Sequence, residues 1–170
     1  MAEQTGIGEK IRKQWEFLSP KPGGKWLFSW GIGWKAPYSG TIGALVEELE
    51  PGYAKVLLKD RKKVRNHLRS VHAIALINLG EVTTGLATLS GMPADARGIV
   101  SGLSIEYHKK ARGLLTAECR AEIPQSSERK TYEVEGKIFD AEGDCVATVT
   151  AQWLIGPMKS SATTTETPAA

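Results

Sequence analysis

Only two of the 170 residues are cysteine, Cys119 and Cys145, and neither belongs to a CxxC pair. A disulfide framework is therefore excluded, and both thiols read as small buried apolar groups in a reducing compartment, the cytosol. No unbroken apolar run approaches the roughly 18 residues of a membrane span. Excess charge is scarce too: a net +3 argues against nucleic-acid binding through the whole molecule. The first residues lack the short apolar core of a signal peptide, and Glu3, Glu9 and Glu16 argue against a transit peptide. Internal repeats are absent, and neither a metal nor a separate cofactor is expected. What is present is an ordinary globular balance, 41% hydrophobic and 24% charged, over a length that suits one domain.

Residues 6–18 predict a short helix, with Ile11, Trp15 and Leu18 at spacings of four and three. Pro20, Pro22 and Gly23-Gly24 break it. Residues 25–39 hold Trp26, Phe28, Trp30, Trp34 and Tyr38. These aromatics read as covering a sheet edge or the core rather than stacking on a ligand, and helix and loop both remain open there. Residues 1–39 thus form an N-terminal extension to a domain at 40–156.

From Gly40 the pattern turns to strands. Residues 41–49 and 53–59 are rich in Val, Leu, Ile and Tyr, and Glu50-Pro51-Gly52-Tyr53 between them predicts a type II turn. A basic link, Lys59 to Arg69, follows. Residues 70–89 are apolar on nearly every side of a helix, with Ser70 as the expected N-cap, so a buried helix wrapped by other elements is predicted. Four alternating segments come next, at 99–107, 115–123, 132–138 and 145–155, each the period-two pattern of an antiparallel strand. In the first, Ile99, Ser101, Leu103, Ile105 and Tyr107 form one of the two faces. Short connections predict that neighbours pair consecutively. Residues 157–170 are polar and low in complexity, and read as a disordered tail. The fold class expected is α+β: about six antiparallel strands wrapping one long buried helix.

That helix contains one carboxylate, Glu81. A charge there is satisfied by a basic neighbour, raised in pKa, or facing a cavity. Asn78 and Thr84 lie three residues to either side, near the same face, and Gly85 leaves room beside it. His72 stands at the helix start. Nine residues, or about 900° of rotation, put it opposite Glu81, so a site using both needs an unwound first turn or two subunits.

Asn66-His67-Leu68-Arg69-Ser70-Val71-His72, followed by Leu79-Gly80-Glu81, resembles the signature of hotdog-fold acyl-CoA thioesterases. In the phenylacetate-pathway and 4-hydroxybenzoyl-CoA thioesterase-like branch, Asn or Gln stands six before the histidine and Asp or Glu nine after. The likeness spans about residues 40–156. Two positions depart from it: Arg69 replaces a usual glycine, and His72-Ala73-Ile74 replaces His-Gly-Gly. The resemblance implies that first-turn N–H groups, that of Ala73 especially, polarise a thioester carbonyl at the positive end of the helix dipole. It implies Glu81 as general base or nucleophile from the facing subunit, with Asn66 and His72 shaping the loop and orienting water or substrate. From spacing alone, Thr84 is expected to hydrogen-bond Glu81, and Asn78 to contact substrate.

Arg65 and Arg69 in the basic link, with Lys109, Lys110 and Arg112 between two strands, fit the phosphates of coenzyme A. The function expected is hydrolysis of an acyl-CoA thioester by a homodimer or homotetramer in the cytoplasm, with coenzyme A as part of the substrate. The alternative is a non-catalytic acyl-CoA or lipid-binding module of the same fold, motivated by the altered glycines.

Overall fold

The structure, a computed structural model, describes residues 6–122 and 124–158. Ile123 and the tail beyond Met158, for which strand and disorder were expected, lie outside the described residues.

Helix α1 (Ile7–Leu18) matches the first expected helix; Ile11 is buried, and Trp15 and Leu18 pack on the core. Helices α2 (Gly24–Lys35) and α3 (Pro37–Gly40) occupy the aromatic stretch. Phe28 is buried and meets Trp15 edge-on, with ring centroids 5.1 Å apart. The other aromatics do not cover a core: Trp26, Trp30, Trp34 and Tyr38 are 65%, 59%, 72% and 68% exposed. The correction has a geometric cause. The three tryptophans recur every four residues on one helix face, and that face is the one turned away from the sheet once Phe28 is inside.

Strands β1 (Leu45–Glu50) and β2 (Tyr53–Lys59) form the first hairpin, and Gly52 at φ 77° supplies the positive φ that its turn requires. A 3-10 turn at Lys62–Val64 leads into the long helix α4 (Ala73–Gly91). Its N-cap is His72, not Ser70; Ser70 is buried, and its hydroxyl and N–H are bound to Asn66 instead. By length and composition α4 is apolar enough to cross a membrane, although 67% of that stretch is buried inside the fold. Asn78, Thr83, Thr84, Thr88 and Ser90 interrupt the apolar run without lowering its mean hydropathy enough to show. Close approach to the sheet needs Gly80, where a Cβ would lie 2.3 Å from Val149 Cγ2.

The remaining strands are β3 (Ala96–Tyr107), β4 (Leu114–Arg120), β5 (Lys130–Phe139) and β6 (Cys145–Pro157). Together the six form one antiparallel sheet in the order β1-β2-β4-β5-β6-β3. Pairing is therefore not consecutive throughout: β3 leaves β4 and closes on β6 at the far edge. The expected single face of β3 is also broken. A bulge between Val100 and Gly102 switches its faces midway: before it Val100 lies opposite buried Trp153 and Ile99 is exposed, and after it Leu103, Ile105 and Tyr107 lie opposite buried Ala151, Val149 and Ala147. Gly98, before the bulge, turns toward the helix, where a Cβ would sit 2.9 Å from Ile155 Cδ1 and 3.1 Å from Leu89 Cδ2. The sheet curls around α4, which is the hotdog arrangement. Its core cluster runs from Ile11 and Phe28 through Leu79 to Ile155, so the N-terminal helices share one core with the wrap.

Candidate active site

The segment before α4 is wound around Asn66. Its Oδ1 accepts from the N–H groups of Leu68 at 2.9 Å and Ser70 at 3.2 Å, and its backbone N–H donates to the Ser70 carbonyl at 2.9 Å. Asn66 therefore shapes the loop through its own turn and points no polar atom of that set at a ligand. The loop forces Arg69 to φ 57°, the only positive φ of a non-glycine residue among those described. Glycine takes this left-handed conformation without a Cβ penalty.

The chain then enters α4. The His72 N–H donates to Val64 O at 2.8 Å, and its Nδ1 accepts from the Ile74 N–H at 3.1 Å. An accepting Nδ1 directs the Nε2 edge of the ring outward. No hydrogen bond among the described residues takes the Ala73 N–H, while the Ala73 carbonyl accepts from the Tyr107 hydroxyl at 3.2 Å. A cleft of about 390 Å³ opens here, bordered by His72, Ile74, Asn78, Tyr38, Lys63 and Arg65. Ile74 and Ala75 of the first turn border this cleft and Ala73 does not; a helix N-terminus beside two basic side chains suits an electron-rich carbonyl next to an anion.

Two and a half turns along, Glu81 is half-buried. Among the described residues no lysine or arginine pairs with it. Its Oε2 accepts from the Ser39 hydroxyl at 3.2 Å. Burial pushes the carboxyl above its ordinary range, and the Ser39 bond pulls it partly back. Asn78 Nδ2 donates to the Tyr38 carbonyl at 3.4 Å, which ties the helix to the α3 segment on the same side. Thr84 does not reach the Glu81 carboxylate. Its hydroxyl donates to the Glu81 backbone carbonyl at 3.2 Å and accepts from Trp153 Nε1 at 3.3 Å. Gly85 likewise faces Trp153, 3.0 Å from where its Cβ would be, so it makes room for the sheet rather than for Glu81. Both corrections have one cause: Thr84 and Gly85 lie within about 60° of Glu81 around the helix, and there Trp153 of β6 packs against them in place of the carboxylate.

The basic residues separate into used and free. Lys109 Nζ donates to Asp140 at 2.7 Å and Asp144 at 2.5 Å, pinning the turn between β5 and β6. Arg65 Nε donates to Asp60 at 2.6 Å while remaining on the cleft border. Arg69, Lys110 and Arg112 are exposed. The link carrying Lys110 and Arg112 passes the start of α4, where Val71 N–H donates to Ala111 O at 2.9 Å. Cys119 is buried and its thiol is pushed up to about 12 by desolvation, which makes it inert. Among the described residues, no group of three or more His, Cys, Asp or Glu is placed to hold a metal ion.

Ser39, Tyr38 and Tyr107 had no signal in the sequence. Ser39 is one small polar residue in an aromatic-rich stretch, and only the tertiary fold brings it 42 positions along to Glu81.

No curated protein matches the chain. Among solved structures it is similar to the structural-genomics protein APC5556, at 28% identity over 89% of this chain and 99% of that one, with a TM-score of 0.74. The Pseudomonas aeruginosa protein PA5026, described as of unknown function and a probable thioesterase, aligns at 24% identity over 76% and 93% of the two chains, TM-score 0.70. A thioesterase family protein from Silicibacter pomeroyi aligns at 16% identity over 76% and 96%, TM-score 0.65. At those identities the last two likenesses show the fold. The model of the family described as a domain of unknown function, DUF4442, matches residues 24–155. That span runs from α2 through the last strand of the wrap, and the chain belongs to the DUF4442 family.

Proposed function

We propose that the protein hydrolyses acyl-CoA thioesters. The observation that carries this is Glu81: a carboxyl on an otherwise apolar helix, with no cation paired to it among the described residues, raised in pKa and bonded to Ser39, which borders a cleft. A carboxylate whose pKa moves toward neutrality is a better base for water, or a more available nucleophile, than an ion-paired one. The free Ala73 N–H at the head of α4 supplies the complementary part, a donor for the oxygen on which charge develops. Thiolate departure asks little of a general acid, because a thiol pKa near ~8.5 makes it a tolerable leaving group. PA5026 and the Silicibacter pomeroyi protein, both described in thioesterase terms, share the fold on which these groups sit.

Ala73 and Glu81 lie eight residues apart, about 12 Å along the axis at 1.5 Å per residue. One chain does not place both on one carbonyl; two copies do so when the carbonyl-polarising helix start comes from one and Glu81 from the other. β3 supports such a pair, being a 12-residue edge strand along which Ile99, Leu103 and Tyr107 are exposed, an edge that sheet proteins seldom leave uncovered. Lys63, Arg65, Lys110 and Arg112 around the helix start suit the phosphates of coenzyme A. The cytoplasm, where acyl-CoA is made and consumed, is the proposed compartment.

A second reading, a binder without turnover, is favoured by Ile74, which is 53% exposed on the cleft border. Thiol release from acyl-CoA by the wild-type protein, lost by about 10²–10⁴-fold in Glu81→Gln, supports the hydrolase. Stabilisation by coenzyme A with no thiol release supports the binder.

A further inference from the structure

We infer that the acyl group of the substrate is a long apolar chain, and that it lies in a second cleft, between α2, α3 and the β1–β2 hairpin. This rests on the thioester-hydrolase reading of Glu81 and names the substrate class for that site. The cleft holds about 550 Å³, a volume usual for small-molecule sites. Val46 and Val56 form its floor, and Trp30 and Trp34 stand on its outer wall. At its inner end are Ser39, whose hydroxyl is on Glu81 Oε2, and Val82, the next residue along α4. A thioester carbonyl held at Glu81 therefore has this cleft beside it.

The polar groups around the cleft are already engaged. The Ser29 hydroxyl donates to Lys25 O at 2.7 Å and accepts from Val46 N–H at 2.8 Å. Lys25 is paired with Glu47 at 2.6 Å, and Arg61 donates to the Ile42 carbonyl. The Thr41 hydroxyl donates to Tyr38 O. What remains to meet a ligand is mainly valine, leucine and indole, which rewards a hydrocarbon; the one charge on the wall, the Arg61 guanidinium, is held at the Ile42 carbonyl without an acidic partner among the described residues. The frame is tight: α2 and α3 cross at Gly33 and Gly40, where a Cβ on Gly40 would lie 2.7 Å from Gly33 Cα. The cleft at the start of α4, by contrast, carries Lys63, Arg65 and His72. The two clefts, both bordered by Thr41, thus match the two ends of a long-chain acyl-CoA in chemistry. Three exposed tryptophans in one stripe are explained as the wall and mouth of an acyl channel, a place where an apolar chain arrives from water.

The test is kcat/KM for acetyl-, butyryl-, hexanoyl- and decanoyl-CoA with the wild type, the Trp30→Ala/Trp34→Ala double variant, and Ala44→Phe, whose new ring enters the cleft. Binding of decanoyl-CoA and of free coenzyme A to Glu81→Gln, read by tryptophan fluorescence, runs beside it. Wild-type kcat/KM is expected to rise about threefold to fourfold per added methylene until the cleft is full. Both variants are expected to lower the decanoyl-to-acetyl ratio by about tenfold or more. Equal rates on acetyl- and decanoyl-CoA overturn the long-chain assignment and leave hydrolysis standing. A Trp30→Ala/Trp34→Ala protein that keeps the wild-type ratio but changes from a larger to a smaller assembly overturns it as well, because the stripe then serves a second copy. Tight, chain-length-dependent binding with no thiol release from any substrate upholds the acyl cleft and overturns the hydrolase reading instead.

Discussion

The Ser39 hydroxyl donates to Glu81 Oε2 at 3.2 Å, across 42 positions of sequence. It lowers a pKa that burial raises, so the two residues set where the carboxyl titrates. Ser39→Ala is expected to move the acidic limb of the kcat/KM profile to higher pH, since only desolvation then acts. Glu81→Gln is expected to remove that limb along with the activity. A pH–rate profile of thiol release checks both; an unmoved limb in Ser39→Ala would show that another group governs it.

The same shift has a stability consequence. Because the folded carboxyl holds its proton to higher pH than the unfolded one, its favourable contribution is complete below the ordinary glutamate range. It is lost as pH rises through the folded value. Glu81→Gln should therefore melt higher than wild type at about pH 7.5, with the difference vanishing near about pH 4. Thermal melts across that range would contradict the assignment if the gap widened on acidification.

Arg69 sits at φ 57° in a loop held by Asn66. Arg69→Gly is expected to stabilise the fold by about 0.5–1 kcal/mol, the left-handed penalty less the added chain entropy of glycine. Asn66→Ala should cost about 1–3 kcal/mol, because Ser70 is buried and loses its partners. Urea unfolding of the two variants and the wild type measures both signs.

Lys109 holds Asp140 and Asp144, and Asp140 is lowered in pKa chiefly by that bond. Lys109→Ala is expected to lower Tm at neutral pH and to lose less as pH falls through the carboxylate range, where the depressed Asp140 takes up its proton in either protein. Its KM for acyl-CoA should stay within about twofold, whereas Lys63→Ala, on the cleft border, should raise KM. Kinetics that reverse this order would return Lys109 to phosphate binding.

Ile99 and Leu103, 64% and 39% exposed on edge strand β3, mark the edge at which a second copy is proposed to pair. Ile99→Glu/Leu103→Lys should shift sedimentation to the single-chain mass and reduce thiol release by about tenfold or more, as Glu81 loses the helix start opposite it. A monomeric variant with full activity would confine the site to one chain.

Local pattern carried much of the fold. The Pro51-Gly52 turn, the alternation in β4 to β6 and the all-round apolar helix are each settled by neighbours within a few residues. The place of β3 was not legible, because partner choice between β4 and β6 is decided by how the sheet closes on α4, with Gly98 admitting Leu89 and Ile155. The N-cap was misplaced for a similar reason: Ser70 is a good cap by residue type, but Asn66 had already taken its polar groups. Glu81 stood out as an isolated carboxylate. Ser39 did not, and the tryptophan stripe looked like core because composition does not record which side of a helix faces inward.

Ile11 and Phe28 belong to the same core as the strands, and Arg12 donates to the Ser90 carbonyl near the end of α4. Trimming the chain to the wrap alone would strip a lid from the end of the central helix, where Gly8 packs on the Leu89, Ser90 and Met92 carbonyls. Any expression boundary placed at β1 should yield insoluble material, and a protease that nicks the α1–α2 corner should release nothing until the whole molecule melts.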